Sequence, residues 1–259
     1  MELKNLLEIA RQAAKVAAER ILEVYHSDDF DIESKGDDSP LTKADRMAHE
    51  AIVEILEPSN LPVLSEEGRD IPFEERGQWD YFWMVDPLDG TKEFIKRNGE
   101  FTVNIALIHQ GRSILGVVLA PVLGKCYFAY DQGGAYVGID DSQEPIKANQ
   151  FSMTDEGLKV VASRSHLNDD TKRFMDDLVK PEIVSMGSSL KFMVVAEGGA
   201  ELYPRFAPTM EWDTAAAQII VEEAGGEVLI QSSGERMSYN KSNLLNPYFL
   251  VKGIENKSY

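Results

Sequence analysis

From residue 158 onwards, short apolar runs alternate with amphipathic helix patterns, and this alternation narrows the possible folds most strongly. A chain that alternates in this way builds a sheet that is covered by helices. This part of the chain therefore predicts an α/β half. The periodicity predicts strands over 158–162, 182–185, 200–204 and 226–230, and helices over 168–180, 188–198 and 213–224.

The first 140 residues carry a different pattern, in which two helices precede a series of strands. Apolar residues three and four apart predict an amphipathic helix over 2–25, followed by a loop over 27–40. Thr42 begins a second helix, and Pro58 ends it. Strands are predicted over 81–85, 101–108, 113–119 and 125–130, with one more after Gly134, as an antiparallel meander. We therefore predict two halves, residues 1–140 and 141–259.

The composition limits the partners and the compartment. Acidic residues outnumber basic ones by 44 to 26, which gives a formal net charge of −18 and an isoelectric point near 4.6. This charge argues against general binding to nucleic acid. The single cysteine, Cys126, excludes an intrachain disulfide and a cysteine-based zinc site. No run approaches the roughly 20 apolar residues of a membrane helix, and the first residues lack the apolar run of a secretion signal.

These observations predict a cytoplasmic protein without integral membrane association. Peripheral attachment to the inner face of the cell membrane stays open. The sequence also leaves open whether the chain is a monomer or a homodimer.

The segment from Asp86 to Thr91 carries the densest group of chemically useful residues. It follows the apolar run 81–85, and it places two carboxylates three residues apart on a tight turn. Asp86 and Asp89 can point at a common centre only if a positive charge lies between them. Mg²⁺ prefers oxygen ligands, and the Leu88 carbonyl could add one. Gly90 and Thr91 offer backbone N–H groups to an anion. The alternative is that both acids are ordinary turn formers.

Three further acidic residues also stand where strands end or helices begin. Glu66 follows a short apolar run, although adjacent acids such as Glu66 and Glu67 are usually just solvated. Asp213 precedes a predicted helix and could be only its N-cap. Asp45 fits a capping box with Thr42, which would explain both residues without catalysis.

Taken together, these residues resemble the inositol monophosphatase superfamily of Mg²⁺-dependent, lithium-sensitive phosphatases. The superfamily carries a Glu-Glu pair, then D-P-[IL]-D-G-T about 20 residues later, and W-D-x-A-A near a late helix start. This chain has Glu66-Glu67, residues 86–91 and residues 212–216 in that order, and Ala217 stands where relatives often have glycine. The run 85–97 resembles most closely the CysQ-type 3′(2′),5′-bisphosphate nucleotidases. The resemblance implies a layered αβαβα sandwich, part α+β and part α/β.

The resemblance also implies a two-metal site with Mg²⁺ as the cofactor. Glu66, Asp86 and the Leu88 carbonyl would hold one ion, and a third ion could bind at Glu66. Asp86, Asp89 and Asp213 would hold the second ion. Thr91 would bind the attacking water with Asp45 as its acceptor, and Glu66 would share in catalysis. Most metal ligands would then lie in the first half and the last one in the second half.

Specificity would come from the second half of the chain. Ser188 and Lys191 begin a predicted helix and would hold the phosphate that is not cleaved. Gly90 and Thr91 would also bind the substrate. Arg205 would add charge, and His166 would pack against adenine. The alternatives are a serine-capped helix with a surface lysine, and a surface histidine.

The function implied is hydrolysis of the 3′-phosphate of adenosine 3′,5′-bisphosphate to AMP and phosphate, which removes a by-product of sulfate activation. The substrate is a small molecule rather than a nucleic acid. An inositol monophosphatase or related sugar phosphatase is the alternative within this superfamily. A non-catalytic acidic protein that only binds metal is the alternative from another class.

Overall fold

A computed structural model describes residues 2–27, 33–34, 40–139, 142–162 and 168–256. Within these residues, no helix combines the length and the apolar character needed to cross a bilayer. The helices there are α1 (Leu3–Tyr25), α2 (Lys43–Leu56), α3 (Phe73–Arg76), α4 (Thr91–Ile95), α5 (Asp169–Asp176), α6 (Leu190–Ala196) and α7 (Ala215–Glu223), with 3₁₀ turns at Glu57–Ser59 and Glu211–Asp213.

The larger sheet has seven strands in sequence order. Its strands are β3 (Val63–Ser65), β4 (Tyr81–Asp89), β5 (Thr102–His109), β6 (Arg112–Ala120), β7 (Lys125–Tyr130), β8 (Ala135–Ile139) and β9 (Ser142–Pro145). β3 is parallel to β4, and the other neighbours are antiparallel. A separate pair, β1 (Glu33–Ser34) and β2 (Pro40–Leu41), is antiparallel. The predicted antiparallel meander is therefore present.

The smaller sheet has five strands whose order differs from the sequence. Its strands are β11 (Lys159–Val161), β12 (Glu182–Val184), β13 (Leu202–Arg205), β14 (Glu227–Ile230) and β15 (Phe249–Lys252), in the order β12-β11-β13-β15-β14. β15 lies between β13 and β14 and is antiparallel to both. β10 (Gln150–Phe151) and β16 (Ile254–Glu255) form a short parallel pair.

Alternating side chains of the seven-stranded sheet supply two different cores. Trp83 and Val85 face a core that they share with α1 and α2, whereas Phe82 and Met84 face the core built around α6 and α7. This follows from the two-residue period of a strand. The far side of the α6–α7 layer packs on the five-stranded sheet, and α5 shares a third core with the outer face of that sheet. The layers therefore read αβαβα, as the resemblance implied.

The sequence analysis located the longer elements and missed several short ones, including α3, α4, β9 and β15. The helix predicted over 2–25 and the strand predicted over 125–130 agree with α1 and β7 to within one residue. β15 was not predicted, because its four residues lack a distinctive pattern and are stabilised by strands on both sides. The helix predicted over 168–180 is shorter, since α5 ends at Asp176.

The proposed division at residue 140 separates two strands that pair with each other. β8 and β9 are neighbours, and the seven-stranded sheet continues to Pro145. In addition, α7 from the second half packs against this sheet, with Ile219 and Ile220 in the shared core. The division into halves remains a prediction, and the change from one sheet to the other lies after residue 145 rather than at 140.

Gly116 permits close contact between β6 and α7. A Cβ atom there would lie 2.2 Å from the Ala216 carbonyl oxygen. Gly116→Ala should therefore lower the free energy of unfolding by about 2 kcal/mol or more, since overpacking a core is destabilising. Urea denaturation measures this effect. Gly124→Ala is the control, because a Cβ atom at Gly124 would meet no atom of the described residues within 4 Å apart from its chain neighbours. The only cost there is that of a positive φ of 64°. Equal stability of the two variants would contradict the packing argument.

Candidate metal centre

Three carboxylates from distant segments meet beside the ends of β3 and β4. Glu66, Asp86 and Asp213 each offer one oxygen, and these atoms lie within 4.8 Å of one another. Glu66 comes directly after β3, and its backbone N–H donates to the Val85 carbonyl at 3.1 Å. Asp86 lies inside β4 and is buried. The structure thus brings together three of the acids that the sequence analysis selected.

A bulge in β4 explains how Asp86 and Asp89 face the same region. In a regular strand, residues three apart point to opposite faces. Here Asp86 pairs with Asn104 and Asp89 pairs with Thr102, so β4 contains one extra residue between the two pairs. The Asp86 carboxylate accepts the Leu88 N–H at 3.0 Å within the bulge. Because Asn104 and Thr102 are two residues apart, their two aspartate partners lie on one face.

A 3₁₀ turn holds Asp213 in place, and Asp213 is not the N-cap residue of α7. Its carboxylate accepts the Met210 N–H at 2.9 Å, and Thr214 occupies the cap position. Glu211, at the start of the turn, is fully buried and accepts hydrogen bonds from the backbone of Lys241 at 3.0 Å and from its ammonium group at 2.5 Å. The turn is therefore fixed from both of its ends.

Burial and mutual repulsion raise the pKa values of Asp86 and Asp213 in this cluster. Burial raises the pKa of Asp86 well above its usual range, and the charges of Glu66, Asp89 and Asp213 raise it further. Burial likewise raises the pKa of Asp213 to about 8, with Asp89 as the next cause. Closely spaced buried carboxylates ionise together only when a cation neutralises them. The all-oxygen donor set fits Mg²⁺ rather than a metal that prefers nitrogen or sulfur.

Asp89 lies near this group, although it is not one of the three closest carboxylates. Its Oδ2 atom accepts hydrogen bonds from the Ser188 hydroxyl at 2.6 Å and from the Ser189 N–H at 2.6 Å. The Ser188 hydroxyl, predicted to hold a phosphate, is thus already engaged with Asp89. Ligation of a metal by Asp89 and by the Leu88 carbonyl remains a prediction.

Asp45 combines the two roles that the sequence left open. Its Oδ2 accepts the Thr42 N–H at 2.7 Å and the Thr42 hydroxyl at 2.5 Å, which is the capping box of α2. Its Oδ1 accepts the Thr91 hydroxyl at 3.3 Å. The capping role is therefore real, and it also fixes the carboxylate that contacts Thr91. The Thr91 hydroxyl lies 3.4 Å from the Leu88 carbonyl as well.

A cavity of about 290 Å³ lies next to the acidic cluster. Lys191 and Arg205 line this cavity and also the adjoining pocket that contains Asp89 and Asp213. Burial lowers the pKa of Lys191, and the charge of Asp89 acts in the opposite direction. Among the residues that the structure describes, none accepts a hydrogen bond from the buried Nε atom of Arg205. His166 lies outside the described residues.

The sequence analysis missed a set of buried polar residues around Asp89. Thr102 and Asn104 of β5 contact Ser188 and Ser189 through hydrogen bonds of 2.7 Å and 2.9 Å. Two polar side chains inside an otherwise apolar strand were the available signal. Their partners at the start of α6 could not be identified from the sequence, because they are more than eighty residues away along the chain.

The fold and the carboxylate cluster define a layered αβαβα protein with a site suited to divalent cations. The profile of the inositol monophosphatase family matches residues 2–253, and the chain belongs to this family. The family is metal-dependent.

Its relatives include proteins that match it along nearly their whole length. The chain is 45% identical to a Salmonella typhimurium protein named 3′(2′),5′-bisphosphate nucleotidase CysQ, over 95% of this chain and 99% of the relative. A protein of the same name from Escherichia coli K12 is 44% identical, with the same coverage. The crystal structure of CysQ from Bacteroides thetaiotaomicron superposes with a TM-score of 0.84 at 45% identity, covering 96% of this chain and 97% of that chain.

The Asp86→Asn substitution should separate the cost of burying the Asp86 carboxyl group from its contribution to binding Mg²⁺. In EDTA the variant should be at least as stable as the unchanged protein, because it no longer buries an ionisable carboxyl group among other acids. With Mg²⁺ at about 100 times its dissociation constant, the unchanged protein should gain roughly 2.7 kcal/mol, or on the order of 5 °C in Tm. The variant should gain much less. Thermal unfolding with and without Mg²⁺ measures both effects.

The exposed Asp177 provides the matched control. Asp177→Asn should respond to Mg²⁺ as the unchanged protein does. An equal rise in Tm for Asp86→Asn would show that Mg²⁺ does not bind at Asp86.

Proposed function

We propose that this protein is a Mg²⁺-dependent phosphatase that removes the 3′-phosphate of adenosine 3′,5′-bisphosphate, giving AMP and phosphate. The observation that carries the proposal is the 45% identity, over 95% of the chain, to a relative named as a bisphosphate nucleotidase. The acidic cluster and the adjacent cavity with two cationic side chains support it. A phosphate monoester with a second phosphate matches both features.

The proposed metal ligands are Glu66, Asp86, Asp89, Asp213 and the Leu88 carbonyl. Asp86 would be shared between two ions, since it is the most buried of these four acids and its pKa responds to the other three. Bound Mg²⁺ neutralises the carboxylates, withdraws charge from phosphate oxygens and makes water more acidic. A third ion at Glu66 remains part of the proposal.

Thr91 and Asp45 would orient the water that attacks phosphorus. The Thr91 hydroxyl donates to Asp45, so its oxygen lone pairs are free to accept a hydrogen bond from that water. Asp45 keeps its orientation because its other oxygen is held by Thr42. The proton taken from the water would then pass along this pair towards Asp45, which acts as the acceptor. As the water oxygen bonds to phosphorus, the bond from phosphorus to the ribose 3′-oxygen would break and that oxygen would take a proton from solvent, so no side-chain nucleophile is needed.

Lys191 and Arg205 would hold the phosphate that is not cleaved. They line the cavity beside the acidic cluster, and both can form charged hydrogen bonds to phosphate oxygens. In this cavity Lys191 is the stronger candidate because burial from water strengthens an ion pair with phosphate. Glu93 and Glu100 line the same cavity, so the two cations would have to meet the phosphate directly for an anionic substrate to bind a chain of net charge −18. Gly90 lines the pocket on the side of the acidic cluster and would contact the phosphate that is cleaved.

A substrate comparison tests the proposed function. We expect kcat/KM for adenosine 3′,5′-bisphosphate to exceed that for inositol 1-phosphate by roughly 100-fold, as two charged hydrogen bonds of about 1.5 kcal/mol each would give. Mg²⁺-dependent phosphate release measures it, with EDTA as the control. A preference for the inositol ester would favour the inositol monophosphatase alternative. Absence of phosphate release from either ester would favour a protein that only binds metal.

The Lys191→Met substitution tests the second-phosphate site, because it keeps the apolar part of the side chain and removes the charge. KM for adenosine 3′,5′-bisphosphate should rise about tenfold, whereas KM for adenosine 3′-monophosphate should change little. Lys180→Met is the matched control, since its ammonium group pairs with Glu156 on the surface. Equal effects of Lys191→Met on the two substrates would remove Lys191 from that site.

A further inference from the structure

Ser189 lies between Asp89 and Asp213, two of the proposed metal ligands. It is 2% exposed and directly precedes α6. Its N–H donates to Asp89 Oδ2 at 2.6 Å, and its hydroxyl oxygen lies 2.7 Å from the Asp213 carbonyl oxygen. One residue therefore contacts Asp89 at the end of β4 and Asp213 in the turn before α7.

The available hydrogens determine the direction of these bonds. The Asn104 amide donates to the Ser189 hydroxyl oxygen at 2.9 Å. A serine hydroxyl has one hydrogen, which it can give to the Asp213 carbonyl or to Asp89 Oδ2, at 2.8 Å. Asp89 Oδ2 already accepts the Ser188 hydroxyl and the Ser189 N–H. The Ser189 hydroxyl therefore donates to the Asp213 carbonyl oxygen, which at 2.7 Å is also the nearer of the two acceptors.

The two contacts of Ser189 are chemically separable. Its backbone N–H binds Asp89 whatever the side chain is, whereas only the hydroxyl reaches Asp213. Removing the hydroxyl would take away one bond to the Asp213 carbonyl and would leave the buried Asn104 amide without this acceptor. Asp89 would keep two of its donors. The expected consequence is a change in the position of Asp213 relative to Asp89.

We propose that Ser189 is a positioning residue, which sets the distance between Asp89 and Asp213 through its hydroxyl and thereby tunes the affinity of the ion that they share. This inference rests on the proposed function, since it assumes that both aspartates bind metal. The ion proposed at Glu66, Asp86 and the Leu88 carbonyl uses neither Asp89 nor Asp213 as a ligand. The effect should therefore be confined to one class of bound ion.

Direct metal binding tests the inference without substrate. Mn²⁺ binds the same oxygen ligands as Mg²⁺, and loss of the free-ion signal in electron paramagnetic resonance reports its binding. Ser189→Ala should weaken one class of Mn²⁺ site by roughly tenfold or more, as is typical when a residue that supports a ligand is removed. The other class should be unchanged. Ser189→Thr keeps the hydroxyl and should restore the affinity.

Two controls separate this role from a general loss of stability. Ser113→Ala removes a buried hydroxyl of β6 whose contact is a 3.5 Å bond to its own strand, and it should leave Mn²⁺ binding unchanged. Ser189→Cys keeps the side-chain size with a much weaker donor, and it should behave as Ser189→Ala does. Thermal unfolding in EDTA shows that each variant is folded.

Activity provides a second readout. At saturating Mg²⁺, Ser189→Ala should keep KM for the bisphosphate within about twofold, while the Mg²⁺ concentration for half-maximal rate rises by the factor measured with Mn²⁺. Unchanged Mn²⁺ binding in a folded Ser189→Ala variant would overturn the inference, and so would equal weakening of both classes of site. If the unchanged protein binds Mn²⁺ but releases no phosphate, the proposed function fails while the positioning role can still be measured.

Discussion

Repulsion among closely spaced, partly buried carboxylates at the end of β4 is the main electrostatic constraint on this site. Asp86 is almost fully buried, and three other acids raise its pKa further. Such a group is unfavourable in a folded protein unless a cation or a proton neutralises it. Asp86 and the acids around it are therefore not explained by a contribution to stability alone. A site for divalent cations accounts for their number, their oxygen chemistry and their proximity.

Each acid is held by a different local device, and none of these devices needs metal. The bulge in β4 places Asp86 and Asp89 on one face, and the serines before α6 orient Asp89. A 3₁₀ turn fixed by Glu211 and Lys241 carries Asp213. The capping box of α2 orients the carboxylate that contacts Thr91. Backbone geometry and hydrogen bonds therefore orient these carboxylates, which would reduce the reorganisation needed in a reaction at this site.

The same arrangement shows how an acidic protein can accept an anionic substrate. The chain carries a net charge of −18, and the cavity beside the acids is lined by two cations, Lys191 and Arg205, and by two acids, Glu93 and Glu100. Charges that lie within a few ångströms in a partly buried cavity outweigh distant surface charges, which salt screens. The pairing of an acidic cluster with adjacent cations separates the roles of binding metal and binding a second phosphate, and it suits the class of substrate proposed.

The sequence alone predicts the longer elements and the candidate acids, because both leave local signals. Three- and four-residue periodicity gave α1, strand-length apolar runs gave the meander, and the motif around Asp86 and Asp89 identified the metal ligands to test. Three features became visible in the folded structure alone. They are the position of β15 between β13 and β14, the hydrogen bond from the Ser188 hydroxyl to Asp89, and the contact of Ser189 with both Asp89 and Asp213. These contacts join residues that are far apart in the chain, so their partners are set by packing of the layers rather than by local sequence.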